Sequence, residues 1–212
     1  MARQARSPEE IEKVKDYIIE EAMKLILKDG FDKMSLRNLA NRVGMSATNI
    51  YYYYSGKDEI YLNIQIRGFK LLQRKLEEVP VSKTDPHETL GRILRAYLEF
   101  GFSNPDYYQI MLNSNSPRYS EYKSVNDKIE PVAYEAKQMA INAIAVPLKH
   151  IRRILERKGV AHENEVFMRG YQMWITLHGI VTLNNRNILL ELDEVEPQKL
   201  IDRMCEDLVR TI

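Results

Sequence analysis

Residues 35–61 read SLRNLANRVGMSATNIYYYYSGKDEIY, and the fold turns on how this stretch divides. Ser35 precedes LRNLANRV, about two turns of amphipathic helix that stop at Gly44. Ser46 precedes a second short helix, which must end before Ser55-Gly56. A serine at each start offers a hydroxyl to a first-turn amide, and glycine accepts the left-handed backbone that closes a helix. Two short helices joined by a tight glycine turn are the outline of a helix-turn-helix.

Four consecutive tyrosines, Tyr51 to Tyr54, cannot all face a core on any regular element. On a helical wheel Tyr54 and Tyr53 fall with Ile50 on the inward side, whereas Thr48, Tyr51 and Tyr52 fall opposite. The outward hydroxyls could donate to phosphate oxygens or reach base edges. Ser46, Ala47 and Thr48 are small enough for that end of the helix to enter a major groove, where a threonine methyl can touch thymine and Asn49 could pair with adenine. Lys57, opening the next helix, adds a cation where unpaired amides already favour an anion. Arg37, in the first turn of the preceding helix, can grip phosphate as well. Spacing alone leaves a second reading open, in which two short helices form a hairpin that packs its tyrosines against neighbours.

The same signals of cap and apolar period run along the whole chain and predict an all-α fold of about nine helices. Ser7-Pro8-Glu9-Glu10 combines a serine cap, a first-position proline and a third-position glutamate, so a helix runs from about Pro8 to Lys28 and stops at Gly30. After the stretch 35–61, a longer helix extends from Lys57 toward Pro80. VPVSKTDPHE, residues 79–88, interrupts the pattern as a joint. Further helices are expected over about 87–103, 105–113, 130–158, 163–184 and 198–211, with Pro147 kinking or breaking the longest. Residues 113–122 read as a loop or a fragment of helix.

At 212 residues the chain can bury a substantial core, and its formal net charge of +1 means that any nucleic-acid binding must rest on a local patch. The single cysteine, Cys205, excludes an intramolecular disulfide and fits a reducing cytoplasm. No apolar run approaches the roughly 20 residues needed to span a membrane. His87, His150, His162 and His178 are scattered, no phosphate loop or nucleophile elbow occurs, and Cys205 has no nearby histidine in sequence. The expectation is therefore a non-enzyme with neither metal nor cofactor. The alternative to a DNA-binding regulator is a helical scaffold whose short helices dock a protein.

The segment LKDGFDKM followed by SLRNLANRVGMSATNIYYYYSGKDEIY resembles the N-terminal domain of the TetR/AcrR family of transcriptional regulators, over about Ile11 to Leu62. The resemblance rests on Gly30 before Phe31, Ser35, Leu39-Ala40, Val43-Gly44-Met45-Ser46, Ile50-Tyr51, Tyr54 and Lys57. The family often has glycine where this chain has Thr48 and phenylalanine where it has Tyr54, and the first departure bears on which base edge is read. The resemblance implies a three-helix DNA-binding head at residues 1–57 and a ligand-binding and dimerisation body at 58–212. It makes Tyr51 and Lys57 phosphate clamps, Ser46, Ala47, Thr48, Asn49 and Tyr52 the groove-facing set, and Ser35 with Arg37 holders of the backbone. Arg3 and Arg6 would form a short basic arm.

YQMWITLHGIVTLNNR, residues 171–186, carries a W-x-x-x-H-G pattern that resembles one C-terminal domain type of the same family. That resemblance implies a homodimer built on this helix and the last one, with Gly179, Ile180, Leu183, Leu200, Met204 and Leu208 in the interface. It also implies a pocket for an unknown small apolar or amphipathic effector. Its candidate lining is Tyr97, Phe100, Tyr108, Met111, Tyr134, Met139, Met173, Trp174 and His178. The expected partners are thus an operator duplex, a second copy of the chain and that effector, with no membrane.

Overall fold

The computed structural model describes residues 7–114, 117–123, 127–191 and 196–212, and the arginines of the expected basic arm lie outside them. Within the described residues every regular element is helical: α1 (Pro8–Asp29), α2 (Leu36–Val43), α3 (Ala47–Tyr53), α4 (Lys57–Glu77), α5 (Pro86–Ser103), α6 (Pro105–Tyr108), α7 (Tyr119–Tyr122), α8 (Glu130–Arg157), α9 (Glu163–Asn185) and α10 (Pro197–Arg210). A π turn, Gln109–Asn113, continues α6, and a short 3-10 turn covers Ile188–Glu191. No helix among these residues is long and apolar enough to cross a membrane.

The ends of the helices follow from their caps. Ser7 accepts from the Glu10 amide at 3.2 Å while the Glu10 carboxylate accepts from the Ser7 amide at 2.7 Å, which closes a capping box at the start of α1. Asp85 accepts from the His87 amide at 2.8 Å before the Pro86 that opens α5. One expectation needs correction. Pro147 does not break α8, which runs through it for 28 residues. The proline removes one amide donor, and the turns on either side outweigh that loss.

The chain forms two compact units, Met1–Phe69 with Asp106–Gln138, and Lys70–Pro105 with Met139–Ile212. These units do not follow the functional boundary expected after residue 57. The first of them takes in the start of α4 and the whole segment from α6 to α7, because Tyr61 donates its hydroxyl to the Ile110 carbonyl at 2.9 Å and Tyr122 donates to the Asp58 carboxylate at 2.9 Å. Its core joins Ile18, Ile19, Ala22 and Ile26 of α1 to Leu39 and Val43 of α2, Ile50 of α3, and Ile60 and Ile64 of α4. In the second unit α5 packs on α9 and α10. Gly101 and Val181 lie so close that a Cβ at Gly101 would sit 2.5 Å from a Val181 methyl.

Two histidines carry a pH signature. His150 is buried, and burial first, then the charges of Arg153 and Lys149, hold its imidazole below the ordinary 6.5. Burial lowers His178 in the same direction. As pH falls past about 6.5 the unfolded chain therefore takes up protons that the folded chain refuses, and stability declines. Glu21 and Glu163 are held below 4.5 by their hydrogen-bonded partners, so they titrate only at lower pH. The thermal midpoint is expected to be flat near neutrality and to fall between about pH 6.5 and 5. Replacing His150 and His178 by Gln should flatten that fall, and an unchanged slope in the double variant would reject the assignment.

Candidate nucleic-acid interface

α3 is only seven residues long, and its place is set by three side chains that face inward. Ile50 is fully buried, Tyr53 and Tyr54 nearly so, and the Tyr54 hydroxyl donates to the Lys15 carbonyl of α1 at 3.4 Å. Burial raises the Tyr54 phenol well above its ordinary range, so it stays a neutral donor. At the other end Ser46 caps the helix by accepting from the Asn49 amide at 3.2 Å. Gly44 turns the chain between α2 and α3 at φ 68° and ψ 33°, the left-handed region. Ser35 caps α2 in the same way, accepting from the Asn38 amide at 3.2 Å.

What this packing leaves outside is a single face. Tyr51 is 58% exposed and Tyr52 76%, with Thr48 and Asn49 exposed beside them. Ser35, Arg37 and Ser46 are also exposed. Ala47 differs from the other groove candidates, since it is half-buried against the head's core. Tyr53 props Tyr52 from behind, the two rings meeting edge to face with centroids 5.2 Å apart.

Lys57 is positioned by a residue whose role the sequence did not disclose. Its ammonium lies 4.5 Å from the centre of the Phe31 ring and 3.4 Å from the Asp32 carbonyl. Phe31 is itself buried and packs on Tyr61 at 4.9 Å. The turn after α1 thus holds the cation at the first turn of α4, where acceptor-hungry amides lie. Arg42 of α2 is not available in the same way, because it pairs with Glu21 of α1, which Lys24 also contacts at 2.6 Å.

The other predicted sets are dispersed. Tyr97, Phe100, Tyr108, Met111 and Met173 are buried, Met139 is half-buried, and Tyr134 is half exposed. Trp174 and His178 do meet, with ring centroids 5.8 Å apart on α9. None of the nine effector-pocket candidates lines either of two cavities, of about 580 and 490 Å³, that the described residues of the second unit form. Of the interface set, Leu183 is exposed, and Gly179, Leu200, Met204 and Leu208 are partly so. Ile180 is buried within its own unit, at 4% exposure. No cluster of His, Cys, Asp or Glu able to hold a metal occurs among the described residues.

Comparison with known proteins bears on these geometries directly. The family model described as bacterial regulatory proteins of the tetR family matches residues 18–64, and the tetracyclin repressor-like C-terminal domain matches residues 90–208. The chain belongs to the TetR family and is a DNA-binding transcriptional regulator. That membership removes the docking-scaffold alternative and sets the chain among regulators rather than enzymes. A search of curated proteins gave no match. Among solved structures the chain is similar to the TetR family transcriptional regulator PfmR from Thermus thermophilus, at TM-score 0.66 and 22% identity over 92% of this chain and 94% of that one. It is similar to the fatty acid degradation regulator FadR from Bacillus halodurans at TM-score 0.62 and 14% identity, covering 97% and 96%. A tetR family regulatory protein from Rhodococcus gives TM-score 0.67 at 14% identity, covering 93% and 96%. At these identities the likeness establishes the fold alone.

Nothing lies within 4 Å of a Cβ built on Gly44, so a substitution there meets conformational strain and no clash. Gly44→Ala is expected to cost about 1–2 kcal/mol. Urea unfolding would register it as a lower midpoint at unchanged slope.

Proposed function

We propose that this regulator acts as a homodimeric, ligand-responsive repressor, whose two copies of α3 enter successive major grooves of a near-palindromic operator. The observation that carries the reading is the outward face of α3: four exposed side chains, Thr48, Asn49, Tyr51 and Tyr52, stand on a helix whose other side is locked into the head. Thr48, Asn49 and Tyr52 are assigned to base edges, with Ser46 and Ala47 allowing close approach. Tyr51, Lys57, Arg37 and Ser35 are assigned to the phosphate backbone, which sets register and orientation. Residues 1–57 are then the DNA-binding part, and 58–212 the ligand-binding and dimerisation part. Such a protein works in the cytoplasm.

Dimerisation is supported by α9, where Phe167, Met168, Tyr171, Ile175 and Leu183 are exposed along one helix. An apolar surface of that kind marks an interaction site. The space above Gly179 is open within the protomer, which suits the approach of a partner helix. A twofold dimer would bind half-sites centred about 34–36 Å apart, or a multiple of that distance. An effector held in the body would release the operator only by binding more tightly to a dimer whose head spacing no longer fits.

Selection from a random duplex library at two salt concentrations tests the reading. An inverted repeat whose affinity falls with salt is expected, and a folded dimer that enriches no motif would overturn it. Lys57→Ala should weaken binding to all sequences and reduce the salt slope by about 1 for each phosphate left without its cation. Tyr52→Ala should relax sequence preference and leave the salt slope nearly unchanged. If both variants bound as the parent does, the face assignment would be wrong.

A further inference from the structure

Two cavities of the second unit adjoin, sharing Val81 and His150, and they differ in chemistry. The larger, of about 580 Å³, brings together Lys83 from the joint before α5 with Arg153 and Arg157 of α8, against one carboxylate, Glu156. Lys83, Arg153 and Arg157 form no salt bridge among the described residues. Three cations gathered around a single carboxylate repel one another, and an anion bound among them would relieve that repulsion. The wall that carries Lys83 is braced: the Ser82 amide donates to Thr89 at 2.9 Å, Arg157 donates to the Thr84 carbonyl at 3.3 Å, and Arg92 donates to the Pro80 carbonyl at 3.1 Å.

The smaller cavity, of about 490 Å³, is of mixed character, with aliphatic walls from Leu76, Val79, Ile93 and Val146 and the polar side chains of Gln73 and Asn142 beside them. Lys149 and Glu77 also line it, so its charges balance. Between the two stands His150, buried and held neutral by its burial and by the cations beside it, hence a hydrogen-bonding group rather than a further charge.

From the cationic cavity adjoining one with aliphatic walls across Val81 and His150, we infer a binding site for a single-chain amphipathic anion, its head among Lys83, Arg153 and Arg157 and its alkyl tail against Leu76, Val79 and Val146. The head is a carboxylate or a phosphate; both accept several charge-assisted hydrogen bonds from guanidinium groups. The tail gains by leaving water, and neither half alone accounts for both cavities. The site shares no residue with the α3 face, so its test stands apart from the DNA-binding reading.

Calorimetric titration of the 212-residue chain tests the site, with octanoate, octyl phosphate, inorganic phosphate and 1-octanol as probes below any micelle concentration. Octanoate, octyl phosphate or both are expected to bind once per chain, at least about tenfold more tightly than inorganic phosphate or 1-octanol. A preference for octanoate would point to free acids as the natural occupant, and one for octyl phosphate to a lipid phosphate. Arg153→Ala should weaken the favoured probe about tenfold and Arg153→Lys less so, while Val79→Ser, a change that adds no charge at a residue lining only the smaller cavity, should weaken it by impairing the tail. Equal binding of octanol would overturn the anionic head, equal binding of phosphate would overturn the tail, and variants that bind as the parent does would overturn the site.

Discussion

A helix of seven residues is not stable in water by itself, so the DNA-binding face proposed for this protein depends on what holds α3 in place. Ile50, Tyr53 and Tyr54 are removed from solvent against α1 and α2, and that burial, with the Ser46 cap, takes the place of the helical length that α3 lacks. Burying one such side chain is worth about 1.5–3 kcal/mol, which far exceeds what the intrinsic helix propensity of a few residues could contribute. The outward face then inherits its direction from the inward one.

The same logic extends to the cation that accompanies α3. Lys57 sits on a different helix from Tyr51 and Tyr52, yet the three residues Tyr54, Ser55 and Gly56 are the whole connection between those helices. Phe31 fixes the ammonium from a third direction, through the turn that ends α1. A lysine side chain free to rotate would lose much of its entropy on meeting phosphate; one already resting on an aromatic ring loses less. The hydrogen bonds from Tyr61 to Ile110 and from Tyr122 to Asp58 tie the same first turns of α4 to the segment after α6.

Much of this was legible in the sequence because caps, glycine turns and helical period are local. Ser7, Ser35, Ser46 and Asp85 each mark a helix start that the structure reproduces within a residue or so, and the partition of the four tyrosines follows from the wheel alone. What local pattern could not supply was the partner of each side chain. Pro147 reads as a kink or a break, and the break was an open option because sequence records its missing amide and not the length of helix on either side. The burial of Ile180 within its own unit was not legible either, because an apolar position on a helix has no label saying which neighbour covers it. Phe31 matched a family pattern without revealing that it carries Lys57. The cations Lys83, Arg153 and Arg157 come from chain positions some 70 residues apart, and only the fold brings them to one cavity.

The division of labour on α3 has a consequence for how such a regulator can change over generations. Thr48, Asn49, Tyr51 and Tyr52 are exposed and stand outside the cluster that keeps the head folded, whereas Ile50, Tyr53 and Tyr54 belong to it. Surface substitutions of this kind usually alter stability by less than about 0.5 kcal/mol. If the outward face reads the operator as proposed, a lineage can exchange one operator for another through single replacements there, with each intermediate still folded, while replacements on the buried face would cost the fold itself.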